Sequence, residues 1–199
     1  MINERLNPSS IVFSDLYQLL DAVMLTGAEM SRGKGDSRQA RISICRRRES
    51  WPLLFWYLVI MHEHGIEMRI RGVRSCLRNG SLIFSSNHMP LLVRSYNRWY
   101  RGSGKRLPLD IQIDRHTACI VMTGALRRWA MYGKKSKVLR LPTPPCHQMS
   151  LAGLTSQVNE HLPVIKSKLA DGRGKIMVPV DAAIDYVSDL VPRVVWDTK

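Results

Sequence analysis

Asp21-Ala22-Val23-Met24-Leu25-Thr26-Gly27-Ala28 and Ala118-Cys119-Ile120-Val121-Met122-Thr123-Gly124-Ala125 are one phrase written twice, an apolar run closed by Thr-Gly-Ala. Ahead of the first copy, Leu16, Leu19, Leu20, Val23 and Met24 recur at the spacing of one helix face. That copy reads as a helix ending near Gly27, with Ser14 as its N-cap. The second copy reads as a helix running from about Asp114 to Ala125.

The segments C-terminal to the two copies also match. After the first comes a Gly/Ser/Lys loop from Ser31 to Ser37, then Ala40 to Arg46. In that stretch Ile42 and Ile44 alternate with Arg41, Ser43 and Cys45, as in a half-buried strand. Ser50 and Pro52 start a helix that Gly65 closes. Met68 to Arg74 is a strand, and Asn79-Gly80 is a two-residue hairpin turn into the strand Ser81 to Ser85. Pro90 opens a helix through Leu91, Leu92, Tyr96 and Trp99, which stops at the loop from Arg101 to Arg106. After the second copy come a strand at Val138 to Leu141 and a helix at Ser150 to Leu162. Strands at Val164 to Leu169 and Lys175 to Val178 come next, then a helix at Ala182 to Val191. The order α-β-α-β-β-α therefore occurs twice. It predicts an α+β fold of two pseudo-symmetric halves, residues 1–108 and 109–199, in one compact unit whose antiparallel sheets form a basic saddle.

The charge says what such a surface meets. Lys and Arg number 30 against 16 Asp and Glu in 199 residues, a formal net charge of +14, with a pI near 10.2. The cations recur from Arg32 to Arg193 among apolar runs rather than in a tail. A folded surface of this kind selects a polyphosphate partner over an anionic membrane. The apolar stretch from Trp51 to Met61 is too short to span a bilayer and reads as a core helix. Cys45, Cys76, Cys119 and Cys146 form no CxxC pair, so they are expected to be reduced and mostly buried rather than zinc ligands. His62 and His64, at i and i+2 on a helix end, point apart and are read as dipole partners, not metal ligands. Met1 to Arg5 has no secretory apolar region, although a removed presequence leaves the same appearance.

Phe84-Ser85-Ser86-Asn87-His88-Met89-Pro90-Leu91-Leu92, continuing through Tyr96-Asn97-Arg98-Trp99-Tyr100 to Gly104-Lys105-Arg106-Leu107-Pro108, resembles the passage between halves in LAGLIDADG homing endonucleases. The closing Lys175-Ile176-Met177-Val178-Pro179-Val180-Asp181 is similar to that family's last strand and helix start, and the likeness extends over roughly residues 14–195. The literal Leu151-Ala152-Gly153-Leu154 is a decoy, since it continues Thr155-Ser156-Gln157 without the acid.

The resemblance implies sheets that lie on nucleic acid, and first helices whose terminal acids hold divalent metal for phosphodiester cleavage. Here the matching positions are about Gly27 and Thr123-Gly124. A shift of register could bring Glu29 to the first, but no Asp or Glu lies between Asp114 and Glu160. The expectation is a protein that binds without enzymatic activity, cofactor, metal or small-molecule substrate.

Expected contacts to nucleic acid are Arg69, Arg71, Arg74 and Arg78; Arg46, Arg47 and Arg48; Lys105 and Arg106; Lys134, Lys135, Lys137 and Arg140; and Lys166, Lys168, Arg173 and Lys175. Phosphate contacts of this kind position a protein and make its affinity salt-dependent. Trp99 and Tyr100, beside a basic Gly-rich loop, are the expected stacking platform. The function expected first is RNA binding as a structural component of an organellar ribosome, in the mitochondrion or else the chloroplast, touching rRNA and neighbouring ribosomal proteins. Its alternatives are a maturase-like intron-splicing cofactor, a DNA-binding repressor, and an active DNA endonuclease that uses Asp21, Glu29 or Asp114.

Overall fold

Two helices carrying the repeated phrase pack against each other at the centre: α1 (Leu16–Leu25) and α4 (Arg115–Tyr132). Leu19, Leu20, Val23 and Met24 of the first and Cys119, Ile120, Met122 and Leu126 of the second are fully buried. Each such Leu or Ile contributes about 1.5–3 kcal/mol by leaving water. The computed structural model describes residues 16–33, 35–74, 81–101, 104–132 and 136–197. Ser14, the expected N-cap, and Asn79-Gly80, the expected turn, lie outside them.

The helices approach closely at the repeated glycine. A Cβ added to Gly124 would sit 2.9 Å from Thr26 Cγ2 and 3.0 Å from the Tyr57 hydroxyl. Only glycine admits that contact, so Gly124 is an interior packing residue, and α4 runs on to Tyr132 instead of stopping at Ala125. Ala125, Leu126 and Ala130, all buried, prolong its apolar side. In the first half the chain does turn at the equivalent place, where Gly27 has φ +104° and β1 (Glu29–Gly33) comes next.

The expected loop from Ser31 to Ser37 is shorter than read: β1 is an edge strand antiparallel to β2 (Asp36–Arg47), with Met30 opposite Ile42. Met30 is buried and the neighbouring Glu29 and Arg32 are exposed. After a 3-10 turn at Arg48–Ser50 come α2 (Trp51–Glu63), β3 (Met68–Arg74) and β4 (Ser81–Ser86). The first sheet has the order β1-β2-β4-β3. Ser50 makes no side-chain cap bond to α2; its Oγ lies 3.1 Å from Met131 Sδ instead. Gly65, at φ +75°, closes α2 as expected. Phe84 meets Phe55 of α2 edge-to-face at 6.5 Å, which fixes the inward side of the sheet.

The 3-10 turn Pro90–Leu92 leads into α3 (Val93–Trp99), then the short pair β5 (Tyr100–Arg101) and β6 (Gly104–Lys105). Past α4, the second half repeats the scheme with one strand fewer: β7 (Val138–Pro145), α5 (Gln148–His161), β8 (Lys166–Ala170), β9 (Arg173–Pro179), α6 (Val180–Ser188) and α7 (Arg193–Trp196). Its sheet order is β7-β9-β8, the counterpart of β2-β4-β3. All pairings are antiparallel, so the fold is α+β with two pseudo-symmetric halves. Among the described residues no helix is long and apolar enough to cross a membrane.

Candidate nucleic-acid interface

Strand alternation decides which cations gather. In the second sheet Leu139, Leu141, Ile176 and Val178 are buried against the helices. Their alternates Arg140, Lys166, Lys168, Arg173 and Lys175 are exposed on the other side. Register brings them into rows. Lys168 stands directly opposite Lys175, Arg140 and Lys166 flank Met177, and Arg173 faces Ala170. Among the described residues none of these cations has an ion pair. Like charges directly opposite on a sheet oppose pairing, so this face is built at a cost that a polyanion would relieve.

The outward side of the first sheet is more polar than basic. Arg41 Nε donates to Ser31 Oγ at 3.0 Å, and the hydroxyls of Ser43 and Ser85 lie 2.8 Å apart. Arg69, opposite Ser85, extends that row, with a solvent-exposed pair to Glu67 at 3.6 Å. Arg71 falls at the register shift of β3 and donates to Asn87 Oδ1 at 3.2 Å. Arg74 is placed by its backbone opposite Ser81. Arg78, Lys134 and Lys135 lie outside the described residues. Arg48, Arg106 and Lys137 are exposed.

Several expected contacts are engaged within the protein. Lys105 turns inward, and its ammonium donates at 2.7 Å to both the Met24 and Ala28 carbonyls, capping the C-terminal end of α1. Burial lowers its pKa to about 8. Arg46 donates to the Thr26 carbonyl at 2.8 Å and lies over the Tyr57 ring at 5.9 Å. Arg47 reaches the Tyr132 hydroxyl at 3.1 Å. The expected stacking platform is corrected: Trp99 is fully buried and its indole N–H donates to Asp21 Oδ1 at 2.7 Å. Tyr100 stacks on Tyr96 at 4.8 Å while its hydroxyl accepts from the Met30 amide at 3.0 Å. Of the thiols expected to be mostly buried, Cys119 is buried, Cys146 half-buried and Cys45 exposed, and Cys76 lies outside the described residues.

Sequence reasoning missed a cleft of about 270 Å³ where α1 ends beside β2 and α4. Thr26, Gly27 and Gly124 line it together with Arg46, Arg47, Arg127 and Arg128, and no acidic residue does. Arg127 is buried and structural, donating to the carbonyls of Val194, Asp197 and Glu49. Arg128 lines the cleft with an exposed side chain, its pKa lowered first by partial desolvation and then by the nearby Arg46 cation. The signal for Arg127 and Arg128 was their place directly after Thr123-Gly124-Ala125-Leu126, visible once the helix is known to continue.

These helix ends do not fit a divalent metal of the kind the resemblance implies. Oxygen ligands are required, and no Asp or Glu lines the cleft between these helix ends. Asp21 is buried, paired with Arg98 at 3.0 Å and with Trp99. Asp114 Oδ1 accepts from the Thr117 amide at 2.7 Å, capping α4. Glu29 is exposed on β1. Among the described residues no three His, Cys, Asp or Glu side chains form a group that could hold a metal ion.

No family model matches the chain, and no curated protein matches it either. Solved structures do. The homing endonuclease I-WcaI bound to its DNA recognition sequence superposes with a TM-score of 0.61 at 11% identity, over 96% of this chain and 90% of that one. Full-length DUF199/WhiA from Thermatoga maritima gives 0.52 at 10% identity, over 94% of this chain and 60% of that one. The homing endonuclease I-DmoI in complex with DNA and Ca gives 0.50 at 15% identity, over 88% and 91%. The fold read from the repeated phrase is thus the fold these proteins have. The expectation of a protein without enzymatic activity is corrected by the same finding, because two of the neighbours that share this fold, I-WcaI and I-DmoI, are homing endonucleases. What the helix ends show is narrower: a metal held between those two positions would find no carboxylate there.

Proposed function

We propose that this chain, with its homing-endonuclease fold, is an RNA-binding protein that lays the outward faces of its sheets along phosphates, as a structural component of an organellar, mitochondrial ribosome. The observation that carries the reading is the second sheet, where Arg140, Lys166, Lys168, Arg173 and Lys175 share one exposed face. Phosphate neutralisation by such a face is independent of base identity and supplies most of the affinity at low salt. The net charge of +14 supports a partner that meets the protein on several sides, and folded rRNA, with phosphates in every direction, offers that more readily than a straight duplex. Exposed Arg48, Arg106 and Lys137 lie beyond the sheets and extend the positive surface.

One observation favours a second reading, DNA binding: I-WcaI and I-DmoI, which share the fold, are bound to DNA. The test purifies the tagged protein from cells at low and at raised salt and sequences the bound nucleic acid. Ribosomal RNA retained with stoichiometric ribosomal proteins is the expected result. A single intron-bearing transcript would move the assignment to a splicing cofactor, and genomic DNA would move it to a DNA-binding protein.

A further inference from the structure

The arginine cleft stands where the resemblance places metal-holding acids, and its charge is inverted. Arg46 comes from the end of β2 and Arg128 from the second half of α4, so the two halves of the chain each contribute a guanidinium. Arg47 lies at the rim, tied to Tyr132. No lining residue is acidic, and Arg128, an exposed side chain on the cleft wall, makes no hydrogen bond to a described residue, so its guanidinium has N–H donors left for a ligand. Partial loss of water around Arg128 disfavours its charge, as does the nearby Arg46 cation. An anion in the cleft would remove both penalties.

Among anions, the geometry favours a tetrahedral phosphate. Planar guanidinium groups brought to one cleft by different elements match its oxygens, and Arg46 keeps further N–H donors beyond those given to the Cys45 and Thr26 carbonyls. The hydroxyl-bearing Thr26 and Ser50 and the backbone at Gly27 complete a polar wall. Gly27 makes the turn there at φ +104°, which glycine adopts without strain.

We infer that this cleft is a phosphate-binding site in which Arg46 and Arg128 grip one backbone phosphate of the bound nucleic acid directly, without a bridging divalent cation. The site deepens the reading above and rests on it, since it marks where the strand crosses from one half of the protein to the other. It also explains why α4 continues past Gly124: the extra turns carry Arg128 to the cleft and Arg127 to the carbonyls that anchor it.

The test is thermal unfolding of the full chain in EDTA, with inorganic phosphate raised at constant ionic strength against chloride. A ligand that binds only the folded state raises the midpoint in a saturable way. The expected result is a saturable rise for the unmodified chain, lost in Arg128→Gln and weakened in Arg128→Lys, which keeps the charge but not the fork. Arg128 supports no described hydrogen bond, so these variants are expected to fold; Arg46→Gln, which also releases the Thr26 carbonyl, is the second variant. The double variant Lys168→Gln/Lys175→Gln should keep the phosphate response while losing RNA affinity. No saturable rise, or an equal rise in Arg128→Gln, overturns the site. Loss of RNA binding in every form, with the phosphate response intact, overturns only the earlier reading.

Discussion

Lys168 and Lys175 face one another across the β8–β9 ladder, and replacing both by Gln separates binding from folding. In the folded protein the two ammonium groups repel, and directly opposed like charges are unfavourable by roughly 0.2–1 kcal/mol. Both side chains are exposed, so their removal costs no burial. Stability should therefore hold or rise by up to about that amount, read as an unchanged or higher urea midpoint. Binding should respond in the opposite direction. Each phosphate neutralised contributes about 0.7 to the slope of log affinity against log salt for a single strand and about 0.9 for a B-form duplex. Losing two contacts should flatten the slope by about 1.4–1.8 on that scale. The assay is fluorescence anisotropy of a labelled structured RNA across a series of KCl concentrations, with both proteins at matched fold content. A variant with the parental slope would refute the idea that this face carries phosphates. So would a large fall in stability, which would mean the lysines are structural.

The interior offers sharper stability tests. Gly124→Ala should destabilise by about 1–3 kcal/mol in urea unfolding, as overpacking does, because its Cβ would meet Thr26 and Tyr57 at 3.0 Å or less; an unchanged midpoint would mean the helices are not in contact there. Lys105 has its pKa lowered to about 8 from 10.5 by burial. The unfolded chain thus binds more protons than the folded one between those values, and the Lys105 contribution is present above the unfolded pKa and lost as pH falls through about 8. Relative to Lys105→Met, the parent should gain stability as pH rises from about 8 to 10.5, and parallel pH profiles would contradict the inward placement. Asp21→Ala should cost about 1–3 kcal/mol, since it leaves the buried Trp99 indole N–H without its acceptor; a urea midpoint left unmoved would argue against that bond.

How much of this was legible in the sequence depends on whether local pattern or distant contact decided each element. The faces of β2 were plain, because Ile42 and Ile44 alternate with polar residues and the sheet has one wet side. The basic rows of the second sheet came from the same alternation in Lys166, Lys168 and Lys175. β1 was hidden because only Met30 among its residues is buried, so an edge strand held mainly by ladder bonds shows no apolar period. The length of α4 was hidden by Gly124, which reads as a stop until Thr26 is known to pack on it. Lys105 and Trp99 were read as surface groups from their neighbours in the chain. Their partners, Met24, Ala28 and Asp21, are far away in sequence, and no local signal announces them. The arginine cleft depended on the length of α4, since it lies where α1, β2 and the prolonged α4 meet.

The most direct test of RNA binding through the sheet faces is ultraviolet crosslinking in cells, with mass spectrometry of the peptides that retain nucleotides. Ribonucleotide adducts are expected on the β8–β9 hairpin between Lys166 and Lys175 and on the Arg41 to Arg48 stretch. Adducts confined to the helical side, as on α6, or deoxyribonucleotides in place of ribonucleotides, would contradict it.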